Sequence, residues 1–292
     1  MPELEWTRFF PEAVADAIQK RAERLTEVRL RAGWETQLKT PEDETWVPPV
    51  LAPEEIRRIA VDMMENSYYA CENQLANGYF TMRCGCRVGV AGTFSENGGQ
   101  YALNAIGSMC IRIARERKGC AQELFEHVER ENGISNALII SPPGLGKTTL
   151  LRDLARLISE SGRIVGIADE RGEIAAARFG VPKMDVGART DVIDGCRKHI
   201  AMLNLIRSMS PEVILTDEIG DARDRIAVRE AARRGVNVIA TAHARDMDDL
   251  SRGSLRELLQ DGLFEYVFVL SERPGNIGAI WKRNAQEGYR RI

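Results

Sequence analysis

The sequence predicts an α/β fold with a mainly parallel sheet, preceded by a smaller α+β domain. Three observations carry this. From Gly119 onward short apolar runs alternate with longer amphipathic stretches, the pattern of parallel strands joined by helices. One run, Ala137-Leu-Ile-Ile140, passes through the Gly-rich turn Ser141-Pro-Pro-Gly-Leu-Gly-Lys-Thr-Thr149 directly into the amphipathic Leu150-Leu-Arg-Asp-Leu-Ala-Arg-Leu-Ile158. Residues 1–118 show a mixture of strand and helix patterns instead, so the boundary is placed between residues 118 and 119, with 119–292 forming the second domain.

The chain has 292 residues, enough for two domains with separate cores. Hydrophobic residues make up 44% and charged residues 28%, a balance that excludes extended disorder. The net charge of −3 gives no global field favouring nucleic acid. No apolar run approaches the ~18 residues of a membrane span, and the first residues lack the pattern of a secretory signal, so membrane contact is expected to be peripheral. Six scattered cysteines are then read as reduced thiols of a cytoplasmic protein. Cys84 and Cys86 form a lone C-x-C, a weak metal signal better read as strand residues.

In the first domain a helix is predicted over residues 10–25, with Pro11 in its first turn and Val14, Ile18 and Leu25 on its apolar side. Glu27-Val-Arg-Leu-Arg31 alternates and predicts a half-exposed strand. After the turn at Pro48-Pro49, Pro53 opens a helix through Ile56, Ile59, Val61 and Met64, and residues 67–75 form another. Residues 79–93, and the chain from Tyr101 onward, are β-like around the turn sequence Glu96-Asn-Gly-Gly99. Arg29, Arg31, Arg83 and Arg87 are either solvated strand faces or a cationic docking surface. Residues 108–119 begin as a strand and end in Arg115, Arg117 and Lys118, a basic linker that either faces solvent or meets a phosphate.

In the second domain helices are predicted over residues 122–131, 148–158, 222–234 and 250–259, with another ending at 202–209. Strands are predicted at 137–140, 163–168, 212–216 and 236–241, and an antiparallel pair at 265–270 and 276–281 turns around Arg273-Pro-Gly275. The basic residues Lys282, Arg283, Arg290 and Arg291 are read as a solvated tail or a contact for anionic lipid.

The Gly-rich turn carries the chemistry. It fits G-x-x-x-x-G-K-[ST] from position 141, with Ser141 at the first glycine, a substitution expected to cost some backbone strain. Backbone N–H groups from Ser141, Pro142, Pro143, Gly144, Leu145 and Gly146 through Thr149, less the two prolines, would line a phosphate cradle at a helix N-terminus. Lys147 would reach the β- and γ-phosphates and Thr148 would ligate Mg²⁺. Val213-Ile-Leu-Thr-Asp-Glu218 is a second signal: an apolar strand ending in two acids, Asp217 for Mg²⁺ and Glu218 to orient or deprotonate water. The paired acids favour ATP over GTP as the substrate. A third is Asp169-Glu-Arg-Gly-Glu173, whose Asp169, Glu170 and Glu173 leave the strand after the loop helix. A fourth is Thr241-Ala-His243, where His243 would contact the γ-phosphate.

Taken in this order, the four boxes resemble those of the type II and type IV secretion ATPases. More narrowly, Arg112-Ile-Ala-Arg-Glu-Arg-Lys-Gly119, Gly187-Ala-Arg-Thr-Asp-Val-Ile-Asp-Gly195 and Arg207-Ser-Met-Ser-Pro211 resemble the stage III sporulation protein AA family. The resemblance also takes in Glu27-Val-Arg-Leu-Arg31 and Arg87-Val-Gly-Val-Ala-Gly92. It implies a RecA-like P-loop ATPase domain behind a smaller N-terminal domain, using ATP and Mg²⁺. It further implies a ring, expected to be a hexamer, on the mother-cell side of a sporulation channel, docked on membrane-embedded proteins. Asp217 stands where many secretion ATPases have glycine, which leaves the base as either Glu218 or an acid of the 169–173 box. Arg189, Arg207 and the linker arginines are the candidates for a cation supplied to a neighbouring subunit. Nucleic-acid-dependent turnover and a nucleotide-gated structural module are the competing functions, with nucleic acid disfavoured by charge.

Overall fold

The computed structural model describes residues 4–64, 68–97, 100–113, 116–177, 180–284 and 288–292. The chain divides into two compact units, Met1–Arg115 and Glu116–Ile292.

The first unit opens with a 3₁₀ turn, Leu4–Phe9, and α1, Glu12–Lys20. Strands β1 (Glu27–Arg31), β2 (Thr36–Lys39) and β3 (Glu44–Val47) follow, then α2 (Pro53–Met63) and α3 (Tyr68–Ala76), then β4 (Tyr79–Thr81), β5 (Arg87–Asn97) and β6 (Gln100–Arg112). The six strands form one antiparallel sheet in the order β3-β2-β1-β6-β5-β4. Helix α1 is shorter than predicted. Leu25 is fully buried, and the chain turns through residues 21–24 so that Thr26 can pair with Lys39 as β1 begins. The strands β2 and β3 were not foreseen, because Thr36-Gln-Leu-Lys39 and Glu44-Thr-Trp-Val47 carry few apolar residues. Residues 79–93 are interrupted by a turn that contains Cys84 and the buried Cys86, so these are turn residues rather than strand residues. No metal-binding cluster of His, Cys, Asp or Glu occurs among the described residues. The Glu96–Gly99 turn falls partly outside the described residues, as does Arg115; β5 and β6 pair up to Asn97 and Gln100.

Three of the arginines read as a candidate patch are held by their neighbours. Arg29 donates to Glu27 at 2.9 Å, Arg31 donates to Gln37 at 2.8 Å and lies over the Trp46 ring, and Arg87 lies 3.9 Å from the Tyr79 ring centroid.

The second unit contains α4 (Gln122–Val128), a two-stranded ribbon β7 (Glu129–Arg130) and β8 (Gly133–Ile134), β9 (Ala137–Ile140) and α5 (Lys147–Glu160). It continues with β10 (Val165–Asp169), β11 (Thr190–Asp194), α6 (Lys198–Ser208), β12 (Val213–Thr216), α7 (Ala222–Arg233) and β13 (Asn237–Ala242). Last come α8 (Met247–Arg252), α9 (Arg256–Gln260), β14 (Tyr266–Leu270), β15 (Ile277–Asn284) and β16 (Gly288–Arg291). The sheet runs β11-β10-β12-β13-β9-β14-β15-β16, parallel from β11 to β14 and antiparallel over the last two strands. β9, β12 and most of β13 are buried on both faces, as expected for parallel strands covered by helices. One core lies toward α4 and α5 and the other toward α6, α7 and α9.

The predicted helix over 122–131 ends at Val128, where the chain enters the β7–β8 ribbon, and three further elements depart from the sequence reading. β11 is half-exposed at the sheet edge and too weakly apolar to have been seen. The predicted helix over 250–259 is two short helices broken at Gly253, where the backbone is extended. The basic end of the chain forms the last two strands of the sheet, on which Lys282, Arg283, Arg290 and Arg291 are exposed to solvent. Arg283 donates to the Gly262 carbonyl at 3.0 Å, and the Tyr289 hydroxyl donates to the Phe264 carbonyl at 2.6 Å. No described helix is long and apolar enough to cross a membrane.

Because β9, β10, β12 and β13 are parallel, their C-terminal ends emerge on one edge. That edge carries Ser141, Asp169, Asp217 and His243 at or just beyond the last strand residues.

Candidate nucleotide site

The Gly-rich turn leaves β9 at Ser141, which is fully buried. Gly144 and Gly146 take φ values of +82° and +88°, a region that side chains disfavour. A Cβ on Gly146 would also press against the Gly275 backbone at 3.1 Å, and the Gly275 N–H donates to the Leu145 carbonyl at 2.9 Å. Ser141, by contrast, is not among the non-glycine residues with positive φ, so the expected strain at this position is absent. Pro142 and Pro143 are exposed. Helix α5 starts at Lys147 with no side-chain cap and no acid in its first turn. Its first N–H groups and the positive end of its dipole are therefore directed at whatever anion the loop receives. Thr148 and Thr149 are half-buried in this first turn.

Lys147 is buried, and its Nζ donates to the carbonyls of Ser141 (2.8 Å) and Pro142 (3.1 Å) and to Ser141 Oγ (3.2 Å). Burial pushes this ammonium below the usual lysine value, while the charge of Glu218 acts in the opposite direction. His243 Nδ1 lies 3.1 Å from Lys147 Nζ, and His243 Nε2 lies 2.8 Å from Glu218 Oε1. A tautomer that accepts from Lys147 and donates to Glu218 satisfies both contacts. Three residues from three separate boxes are thus joined side chain to side chain.

Glu218 has φ +28°, strained for a residue with a side chain. Its N–H donates to Thr241 Oγ1 at 2.8 Å, which fixes the turn after β12 to β13. Asp217 is buried, and Lys198 Nζ donates to its Oδ1 at 3.1 Å and its carbonyl at 2.9 Å.

The acidic box is arranged differently. Asp169 is fully buried and accepts from the N–H groups of Glu173 (2.8 Å), Ile174 (3.0 Å) and Ala175 (2.9 Å). Arg152 braces the same loop through the Ile174 and Glu173 carbonyls at 2.5 and 2.7 Å. Glu170 accepts the Lys198 N–H at 3.3 Å, at the start of α6.

The family described as "Sporulation stage III, protein AA" matches residues 12–287. The chain belongs to that family. Stage III sporulation protein AA of Bacillus subtilis (strain 168) is 38% identical over 293 residues, 96% of this chain and 95% of that protein. Protein SEEDLING PLASTID DEVELOPMENT 1 of Arabidopsis thaliana is 33% identical over 164 residues, 55% of this chain but 23% of its own length. Among solved structures, the ATPase DotB of Legionella pneumophila superposes with a TM-score of 0.60 at 16% identity, over 97% of this chain and 80% of DotB. The pilus retraction motor PilT with bound ADP gives 0.58 at 16% identity, over 94% and 80%. The sporulation family member therefore has the RecA-like α/β fold of secretion ATPases behind an N-terminal antiparallel sheet unit.

Within this family member the structure gathers Lys147, Glu218 and His243, and leaves Arg189 and Arg207 elsewhere. The Arg189 carbonyl accepts from Val165, the first residue of β10, and Arg207 lies in the last turn of α6. α6 begins beside Asp217, and ten residues of helix rise span about 15 Å. Both exposed arginines therefore sit at the sheet edge opposite the Gly-rich turn. Arg117 is nearer, its guanidinium 3.6 Å from where a Gly275 Cβ would lie. Two residues escaped the sequence reading: Lys198 and Arg152. Both lie among charged helix residues with no motif to distinguish them from surface groups.

Burial moves the Asp169 carboxyl from 3.8 to about 6, outweighing the three loop N–H groups that act to lower it, and the Asp217 charge adds to the rise. Between these pH values the native chain holds a proton that the unfolded chain has lost. The stability contributed by this group is thus complete below about 3.8 and is lost as pH rises through about 6. About two pH units at about 1.4 kcal/mol each give a swing of about 3 kcal/mol. Urea unfolding at pH 4.5 and 7 should show about 2 kcal/mol of this swing in the parent and none in Asp169→Asn. Equal pH dependence in both proteins would dismiss the assignment.

Proposed function

We propose that the protein is a Mg²⁺-dependent ATPase that acts as a ring motor for a secretion-like channel complex in sporulation. The observation that carries this is the linkage Lys147–His243–Glu218, which joins the phosphate-loop lysine to a carboxylate that can activate water. The uncapped N-terminus of α5, with two left-handed glycines before it, suits a polyphosphate. Thr148 and Asp217 would hold Mg²⁺, which when bound supplies positive charge to the phosphate oxygens.

In this reading Lys147 exchanges its loop carbonyls for phosphate oxygens, which compensate its buried charge better than neutral acceptors. Glu218 takes a proton from the attacking water. His243 holds that carboxylate in place and, through Lys147, meets the terminal phosphate. Asp169 and Glu170 serve to shape the adjoining loop and helix start rather than to touch the substrate. Glu173 donates its N–H to Asp169, and its carbonyl accepts from Arg152.

Arg189 and Arg207, at the opposite sheet edge, meet a triphosphate only when a neighbouring subunit holds it. Their placement supports a homo-oligomeric ring, a hexamer in the expected form, with Arg117 as the candidate from the chain's own side. Membership of the sporulation family supports a place on the mother-cell side of the membrane, docked on membrane-embedded channel proteins. The tying of Arg29, Arg31 and Arg87 within the N-terminal sheet favours this over a nucleic-acid-driven motor.

The test is ATP turnover and oligomer mass of the full chain, with Mg²⁺ or EDTA, with candidate membrane partners or with single-stranded DNA. Turnover that needs Mg²⁺ and rises with the membrane partners in a ring-sized particle supports the reading. A monomer stimulated by DNA, with a steep loss as salt rises, would replace it.

A further inference from the structure

Lys198 opens α6 with its N–H on Glu170 and its side chain buried beneath the β12 end. An ammonium has three N–H donors. Here they go to Asp217 Oδ1 (3.1 Å), the Asp217 carbonyl (2.9 Å) and the Glu218 carbonyl (3.1 Å). Two of these acceptors belong to the main chain on either side of the Asp217–Glu218 peptide. The third, the Asp217 carboxylate, is the ion-pair partner of this buried cation among the described residues, and a buried charge without such a partner is costly. Glu218 itself is held at both backbone ends, its carbonyl by Lys198 and its N–H by Thr241, in a left-handed conformation that a side chain resists. That conformation directs its carboxylate to His243.

We infer that Lys198 is a positioning residue for Glu218: its ammonium fixes the strained turn that aims the Glu218 carboxylate at His243. Asp217 anchors the ammonium, so this acid has a second task beside any metal. The same helix start ties in Glu170, so the acidic box and the end of β12 are set by one lysine. The assignment of a reaction to Glu218 rests on the proposed function, but the geometry of the turn does not.

The experiment compares Lys198→Met and Lys198→Gln with the parent and with Glu218→Gln in two ways. The first is made without nucleotide: the side-chain ¹H–¹⁵N resonances of His243, one of three histidines, assigned with His243→Asn. Lys198→Met should move them as Glu218→Gln does, because in both the His243 ring loses the carboxylate that it meets at 2.8 Å. The second is kinetic. Displacing a reacting group by about 1 Å costs on the order of 100-fold, so kcat should fall about 10- to 100-fold while ADP affinity stays within about threefold. The Lys198→Met loss should vanish in a Glu218→Gln background, since both act through one carboxylate. Unchanged His243 resonances in a folded variant, or turnover equal to the parent, would overturn the inference. Should Lys198→Met unfold, Lys198→Gln, which keeps N–H donors, carries the same readouts; failure of both to fold would assign the residue to stability alone and overturn it as well. A parent that binds no nucleotide would refute the ATPase reading, and the resonance comparison would still decide Lys198.

Discussion

Glu218→Gln is expected to leave nucleotide binding within about threefold of the parent and to lower ATP turnover by about 10²- to 10⁴-fold, the range for loss of a general base. The substitution preserves the shape of the side chain. The backbone N–H to Thr241 and the carbonyl to Lys198 are untouched, so the strained turn survives. The amide can still meet His243 Nε2 at the position now occupied by Oε1. What is removed is basicity. Single-turnover hydrolysis of radiolabelled ATP, set beside nucleotide retained on a filter, separates the two effects. A protein that binds ATP and does not turn it over is the expected result. Undiminished turnover would move the base to the 169–173 box, where Asp169→Asn, Glu170→Gln and Glu173→Gln are the next variants.

The parts of this site that were legible in the sequence are those where a buried strand ends in chemistry. Ala137–Ile140 and Val213–Thr216 are apolar at every position but the terminal threonine because both sheet faces are covered, and a polar residue directly after such a run must lie at the strand's end. Parallel pairing then brings the ends of β9, β12 and β13 together, so the three motifs that carry Lys147, Glu218 and His243 at or beyond those ends meet on one edge. The direction of a side chain at a strand end is a different matter. Asp169 and Asp217 both close apolar runs, yet Asp169 turns into a loop that it organises and Asp217 into a lysine at the far end of the preceding helix. Lys198 lies 19 residues before Asp217 in a charged stretch, and no periodicity separates a buried lysine from a solvated one. The missed strands have a common cause. β2, β3, β11 and β16 are edge or near-edge strands with few apolar residues, leaving no alternation for a sequence reading to detect.

Lys147→Ala should produce the complementary phenotype: nucleotide affinity lost by about 10²- to 10⁴-fold, with the fold intact. Each hydrogen bond to a charged group contributes about 1.5–3 kcal/mol, and a phosphate-loop lysine is expected to reach two phosphates. Two such contacts give about 3–6 kcal/mol, and each 1.4 kcal/mol is tenfold in affinity. The effect on folding should be small for a physical reason visible in the loop. Lys147 is a buried cation whose burial already disfavours its charge, and its nearest acceptors are neutral carbonyls. Removing it relieves that desolvation while giving up the three loop hydrogen bonds, terms of opposite sign. The thermal midpoint without nucleotide is therefore expected to stay within a few degrees of the parent, roughly what a 1 kcal/mol change produces in a domain of this size. Only the rise on adding ATP should vanish, because stabilisation by a ligand follows its affinity. Differential scanning fluorimetry with and without ATP and Mg²⁺ checks both halves. A variant that keeps the ATP-dependent rise would show that the Gly-rich turn is not where the nucleotide binds, and would remove the basis for assigning roles to Glu218 and His243.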